Sequence, residues 1–152
     1  MTARPSAFPG APGVARKPQA SSPPLVEVAP GTLLETALAY QGVRYRLGGE
    51  DPSGFDCSGF VRYVFHQHRV ELPRTVAEQF HAGKSIKARQ VEQGDLVFFA
   101  TSGTGPSHVG IAIDGSTFVH APGTGRGVRV ERFDTPYWQA RLSGVRRVPS
   151  GG

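Results

Sequence analysis

The 152-residue chain has no asparagine, and it has only one cysteine, one methionine and one tryptophan. Without asparagine there is no N-glycosylation sequon, and no Asn to complete a Cys/His catalytic set. One cysteine excludes an internal disulfide framework and any multi-cysteine zinc site. No apolar run is long enough to span a membrane, and the first thirty residues lack the continuous apolar stretch of an intact secretory signal. Charge is not lacking: the net value is +5 and the sequence pI about 9.9. It is nearly all arginine and is scattered from Arg44 to Arg147. No basic run interleaved with aromatics and no nucleic-acid fold motif accompanies it, so nucleic acid is not the expected partner. A diffuse basic surface suits solubility or an acidic polymer.

The length suits one domain with its own core. Residues 1–30 are rich in Pro, Ala, Ser and Gly without apolar periodicity, and read as a disordered tether ahead of a domain over 31–149. Thr32 to Glu35 has the pattern of a capping box opening a helix, and Gly42 ends it. Asp51-Pro52-Ser53-Gly54 is a turn by composition. A second helix is expected from Cys57 to about His68, capped by Asp56, with Phe60, Val61, Val64 and Phe65 at helical spacing. Thr75 to Glu78 repeats the capping pattern. From Gly94 onward the period changes to that of strands: Leu96 to Phe99, His108 to Ile113, Thr117 to His120, Gly127 to Phe133 and Ser143 to Val148. Helices first and an antiparallel sheet afterwards make an α+β domain.

Cys57 sits where the second helix starts. Backbone N–H groups and the positive dipole end favour thiolate there, which predicts alkylation of Cys57 well below pH ~8.5. Taken alone, Cys57 reads rather as a small buried hydrophobe, the commoner fate of a lone cysteine. The histidines weigh against that. His66, His68 and His81 lie on or beside helices among charged neighbours and read as solvated. His108 and His120 stand at the loop end of a hairpin, where a rigid scaffold holds side chains in place. Their relation depends on register. A two-residue Asp114-Gly115 turn would point them to opposite faces. A three-residue loop, Asp114-Gly115-Ser116, pairs Ile113 with Thr117 and Gly110 with His120, and puts both histidines on one face, roughly 7–8 Å apart at the backbone. Cys57 then serves as nucleophile, His108 as its base and His120 as the group orienting that base, with Asp95 and Asp114 as competing orienters. The Cys57 N–H and the Tyr45 hydroxyl are the candidate oxyanion donors; a half-buried core tyrosine is the other reading of Tyr45. Zinc on two histidines and a cysteine is a further possibility, but the supporting ligand spacings are absent.

Several ordered motifs resemble the NlpC-type cell-wall peptidases, a papain-like cysteine peptidase family. They are Tyr45 with Gly48-Gly49, Phe55 to Phe60, Leu72 to Thr75, Gly94 to Phe99, His108 to Ile111, and Val119 to Ala121. The resemblance covers about Leu33 to Val148. It implies a papain-like core, with the nucleophile's helix packed on an antiparallel sheet of five to six strands. It implies a cofactor- and metal-free thiol peptidase acting outside the cytoplasm on peptidoglycan stem peptides, typically between γ-D-glutamyl and meso-diaminopimelate (or L-lysine); a monomer is expected. It assigns Cys57, His108 and His120 to the triad, Tyr45 to the oxyanion and Ser58 to the substrate cleft; Arg74 matches a motif read as structural. Two alternatives stand beside it: an amidase or acyltransferase using the same triad, and a silent wall-binding module.

Overall fold

Helix starts are built by the residues that the capping patterns single out. The computed structural model describes residues 32–149; the expected tether over 1–30 lies outside the described residues. Thr32 caps α1 (Leu33–Ala39): its hydroxyl accepts the Glu35 N–H, and the Glu35 carboxylate accepts the Thr32 N–H. Asp56 caps α2 (Cys57–Gln67) by accepting the Gly59 N–H at 2.7 Å. Thr75 does the same for the single turn α3 (Val76–Gln79). Ahead of α2, a small hairpin of β1 (Glu50–Asp51) and β2 (Gly54–Phe55) folds back over the expected turn.

Six strands make the main sheet: β3 (Lys84–Ile86), β4 (Leu96–Phe99), β5 (His108–Ala112), β6 (Thr117–His120), β7 (Arg129–Arg132) and β8 (Leu142–Arg147). Their order is β3-β8-β4-β5-β6-β7, with every neighbour antiparallel. The α+β architecture matches the sequence reading, but β3 has no counterpart in it. It is three residues long, on the sheet edge, and Lys84 and Ser85 are exposed, so it carries no alternation to detect. One further turn of helix, α4 (Pro136–Gln139), forms between β7 and β8 with proline in its first turn. No helix among the described residues is long and apolar enough to cross a membrane.

The sheet is buried on both faces, which is why Leu96-Val97-Phe98-Phe99 reads as an unbroken apolar run. Leu96 and Phe98, with Val109, Ile111 and Val119, face Phe60, Val61, Val64 and Phe65 of α2. Val97 and Phe99 face the other way, toward Phe118, Phe133 and Val145, with Trp138 of α4 packed against them. Completely burying a side chain such as Phe60 contributes about 1.5–3 kcal/mol.

The β5–β6 hairpin has the odd register. Ile111 pairs with Val119 and Ala112 with Phe118, and the Ile113 N–H donates to Thr117 O at 2.8 Å. The loop is therefore Asp114-Gly115-Ser116. Asp114 selects it by accepting the Ser116 and Thr117 N–H groups, each at 2.9 Å, together with both hydroxyls.

Candidate active site

The start of α2 is tied down from three sides. A Cβ on Gly59 would run into the Gly49 carbonyl, and the Asp56 N–H donates to that same carbonyl at 3.0 Å. Helix and loop thus touch backbone to backbone, which needs glycine. Arg74 donates to both carboxylate oxygens of Asp56, at 3.2 and 2.8 Å, and to the Ser58 hydroxyl at 2.9 Å. It also pairs with Glu50 at 3.3 Å. Ser58 is buried, its hydroxyl held between Arg74 and Asp56. In this structure it therefore braces the helix start rather than presenting a free hydroxyl.

Cys57 follows that brace. Its Sγ lies 4.0 Å from the Ser107 carbonyl, against the residue that precedes β5. Burial pushes the thiol up from its ordinary range; hydrogen bonds from the Val109, Ser58 and Cys57 N–H groups pull the other way, and Asp56 adds to the rise. Desolvation is thus the largest influence on the thiol and acts against the pull of the backbone N–H groups at the helix start.

His108 and His120 share the face of the sheet that carries Phe118. His108 Nε2 and His120 Nδ1 are 2.7 Å apart, and His120 Nε2 lies 2.9 Å from Glu131 Oε2 on β7. Aromatic rings fix both imidazoles: Phe118 stacks on His120 at 4.1 Å, and Trp138 stacks on His108 at 5.7 Å while meeting His120 edge-on. His120 has no exposed surface and His108 almost none. Burial lowers both to about 3, helped at His108 by His120 and at His120 by Arg129 and Arg126. Both rings are therefore neutral at ordinary pH.

Tyr45 joins the same region. Its N–H donates to Arg126 O at 2.8 Å, and it bridges to Phe55 just ahead of the cysteine. Burial raises its hydroxyl, and the charges of Cys57 and Asp56 raise it further. The competing orienters are committed elsewhere. Asp95 takes a two-pronged bond from Arg147 at 2.9 Å, and Asp114 closes its own turn. His66 is exposed and bonds Glu71, His81 is exposed, and His68 bonds the Thr36 hydroxyl at 2.7 Å.

Sequence reasoning missed Glu131 and Trp138. Arg129 pairs with His120 and Glu131 with Phe118, so both charged residues share the His120 face. Alternation along β7 would have shown this, had the connection from Ala121 to Val128 carried a turn signal fixing its register.

A thiol at a helix start, against the residue before His108, and two imidazoles in hydrogen-bond contact are groups that can support acyl transfer through sulfur. The NlpC/P60 family model matches residues 42–147. Over 112 residues the chain is 47% identical to the Murein DD-endopeptidase MepS/Murein LD-carboxypeptidase of Escherichia coli K12, covering 73% of this chain and 58% of that one. Over 118 residues it is 37% identical to the Gamma-DL-glutamyl hydrolase of Bacillus subtilis, covering 76% and 28% respectively. The chain thus spans less than two thirds of the curated relatives described. Among solved structures, the NlpC/p60 domain of peptidoglycan hydrolase SagA superposes with a TM-score of 0.68 at 38% identity, covering 76% of this chain and 96% of that domain. With the motifs, the fold and these relatives in agreement, the chain belongs to the NlpC/P60 family.

Proposed function

We propose that the protein is a peptidoglycan endopeptidase that hydrolyses stem-peptide amide bonds through Cys57, His108 and His120. The observation that carries this is the geometry at the start of β5: Cys57 Sγ lies 4.0 Å from the carbonyl of Ser107, the residue before His108, and His108 lies 2.7 Å from His120. The murein endopeptidase and peptidoglycan hydrolase that the chain resembles support the substrate class. His108 takes the thiol proton as sulfur attacks the carbonyl carbon. The resulting oxyanion is received by the Cys57 N–H and the Tyr45 hydroxyl. His108 then protonates the leaving amine, and the thioester is cleaved by a water that His108 deprotonates.

The bond proposed is that between γ-D-glutamyl and meso-diaminopimelate. A second reading, the D,D cross-link, is favoured by the name of the 47% identical relative. A mature wall substrate implies work outside the cytoplasm, with residues 1–30 as a tether to a domain starting near residue 31. Purified sacculi, monomeric muropeptides and cross-linked dimers, each incubated with wild type and Cys57→Ala, separate the readings by product mass. The expected result is cleavage of monomer stems by wild type and none by the variant. Cleavage of dimers alone transfers the assignment to the cross-link. Equal product from Cys57→Ala refutes the mechanism, and binding without cleavage by either protein indicates the silent module.

A further inference from the structure

The contact behind His120 carries more than support for a strand. A carboxylate accepts hydrogen bonds and cannot donate, so across the 2.9 Å contact His120 Nε2 must carry the proton. His120 is neutral in its buried setting, so its Nδ1 is bare and can only accept. His108 Nε2 must then be the donor across 2.7 Å. That leaves the lone pair of His108 on Nδ1. One carboxylate on β7 thereby dictates the protonation of two rings in series, and the second ring belongs to the proposed base.

We propose that Glu131 is a positioning residue, setting both imidazole tautomers so that His108 Nδ1 is free to take the Cys57 proton. This rests on the reading of Cys57 and His108 as nucleophile and base. In the transfer the S–H bond breaks, its electron pair stays on sulfur, and an N–H forms at Nδ1. The new imidazolium charge is stabilised by Glu131 through His120, in line with the upward pull of Glu131 on His108. The charged groups facing the pair are Arg129 and Glu131 from β7 and Arg126 from the loop before it, while the Cys57 thiol of α2 lies against Ser107, the residue before His108. Arg129 lies 3.4 Å from the same carboxylate oxygen and opposes the effect. Phe118 and Trp138 fill the remaining sides without charge.

Glu131→Gln is the direct test. An amide can donate or accept toward Nε2, so it neither dictates the tautomer nor carries charge. Carboxylates that orient metal-binding histidines from behind cost about 10- to 100-fold when removed, and the same orienting task sets the scale here. The expected result is a fall of that size in kcat on muropeptides with little change in KM. A second reading needs no substrate: the rate of Cys57 alkylation by iodoacetamide at about pH 6.5, divided by that at about pH 10. The numerator reports the thiolate–imidazolium pair and the denominator the thiolate alone. The ratio should fall at least about threefold in Glu131→Gln and rise in Arg129→Ala, directions a merely structural role would not produce. A wild-type kcat and ratio in Glu131→Gln overturn the proposal. If that variant fails to fold by its thermal midpoint, an unchanged or lower ratio in Arg129→Ala overturns it instead. The underlying reading fails separately, through hydrolysis by Cys57→Ala.

Discussion

Gly110 offers the sharpest test of how the site is held. It lies opposite His120 across the β5–β6 hairpin. A Cβ at this position would stand 2.5 Å from Cδ2 of Phe118, 3.0 Å from its Cε2 and 3.0 Å from His120 Cβ. These rings lie across the bare backbone, and Phe118 cannot retreat. It is closed in by Phe99 at 5.3 Å, Trp138 at 5.2 Å and Phe133 at 5.7 Å between ring centres. The strands must therefore move apart in Gly110→Ala. Forcing a methyl into a packed core costs about 1–3 kcal/mol, which for a domain of this size lowers the thermal midpoint by about 3–15 °C. The same displacement stretches the 2.7 Å His108–His120 contact, so kcat should fall more than the stability loss alone explains. The assay pairs calorimetry with muropeptide turnover at a temperature where the variant is fully folded. A wild-type midpoint together with wild-type turnover would refute the argument that ring packing over Gly110 sets the histidine geometry.

Two further outcomes follow from the electrostatics. The buried histidines have folded pKa values near 3 against an unfolded value of about 6.5, so below that value the unfolded chain binds protons the native chain refuses. Stability is complete above about pH 6.5 and is lost as pH falls toward 3; thermal midpoints across this window should fall in wild type and fall less in His120→Gln, and a flat wild-type profile sinks the assignment. Asp56 both caps α2 and neutralises Arg74. Asp56→Ala should cost about 1–3 kcal/mol by denaturant midpoint and Asp56→Asn less, since asparagine keeps the cap; equal losses would deny the cap a role.

Local patterns made much of the molecule legible. Thr32, Asp56 and Thr75 mark helix starts because a short polar side chain satisfies N–H groups only a few residues away. These determine where Cys57 stands on its helix. The hairpin was narrowed to two registers, and the folded loop, closed by Asp114, selected the one that puts His108 and His120 on one face. Tertiary structure alone decided the rest. Glu131 reaches His120 through a strand pairing that no turn signal fixes, and β3 is too short and polar to show a period. The surroundings of the thiol were hidden for the same kind of reason. A dipole is read from sequence neighbours, whereas desolvation depends on everything packed around the sulfur, and here burial is the larger effect.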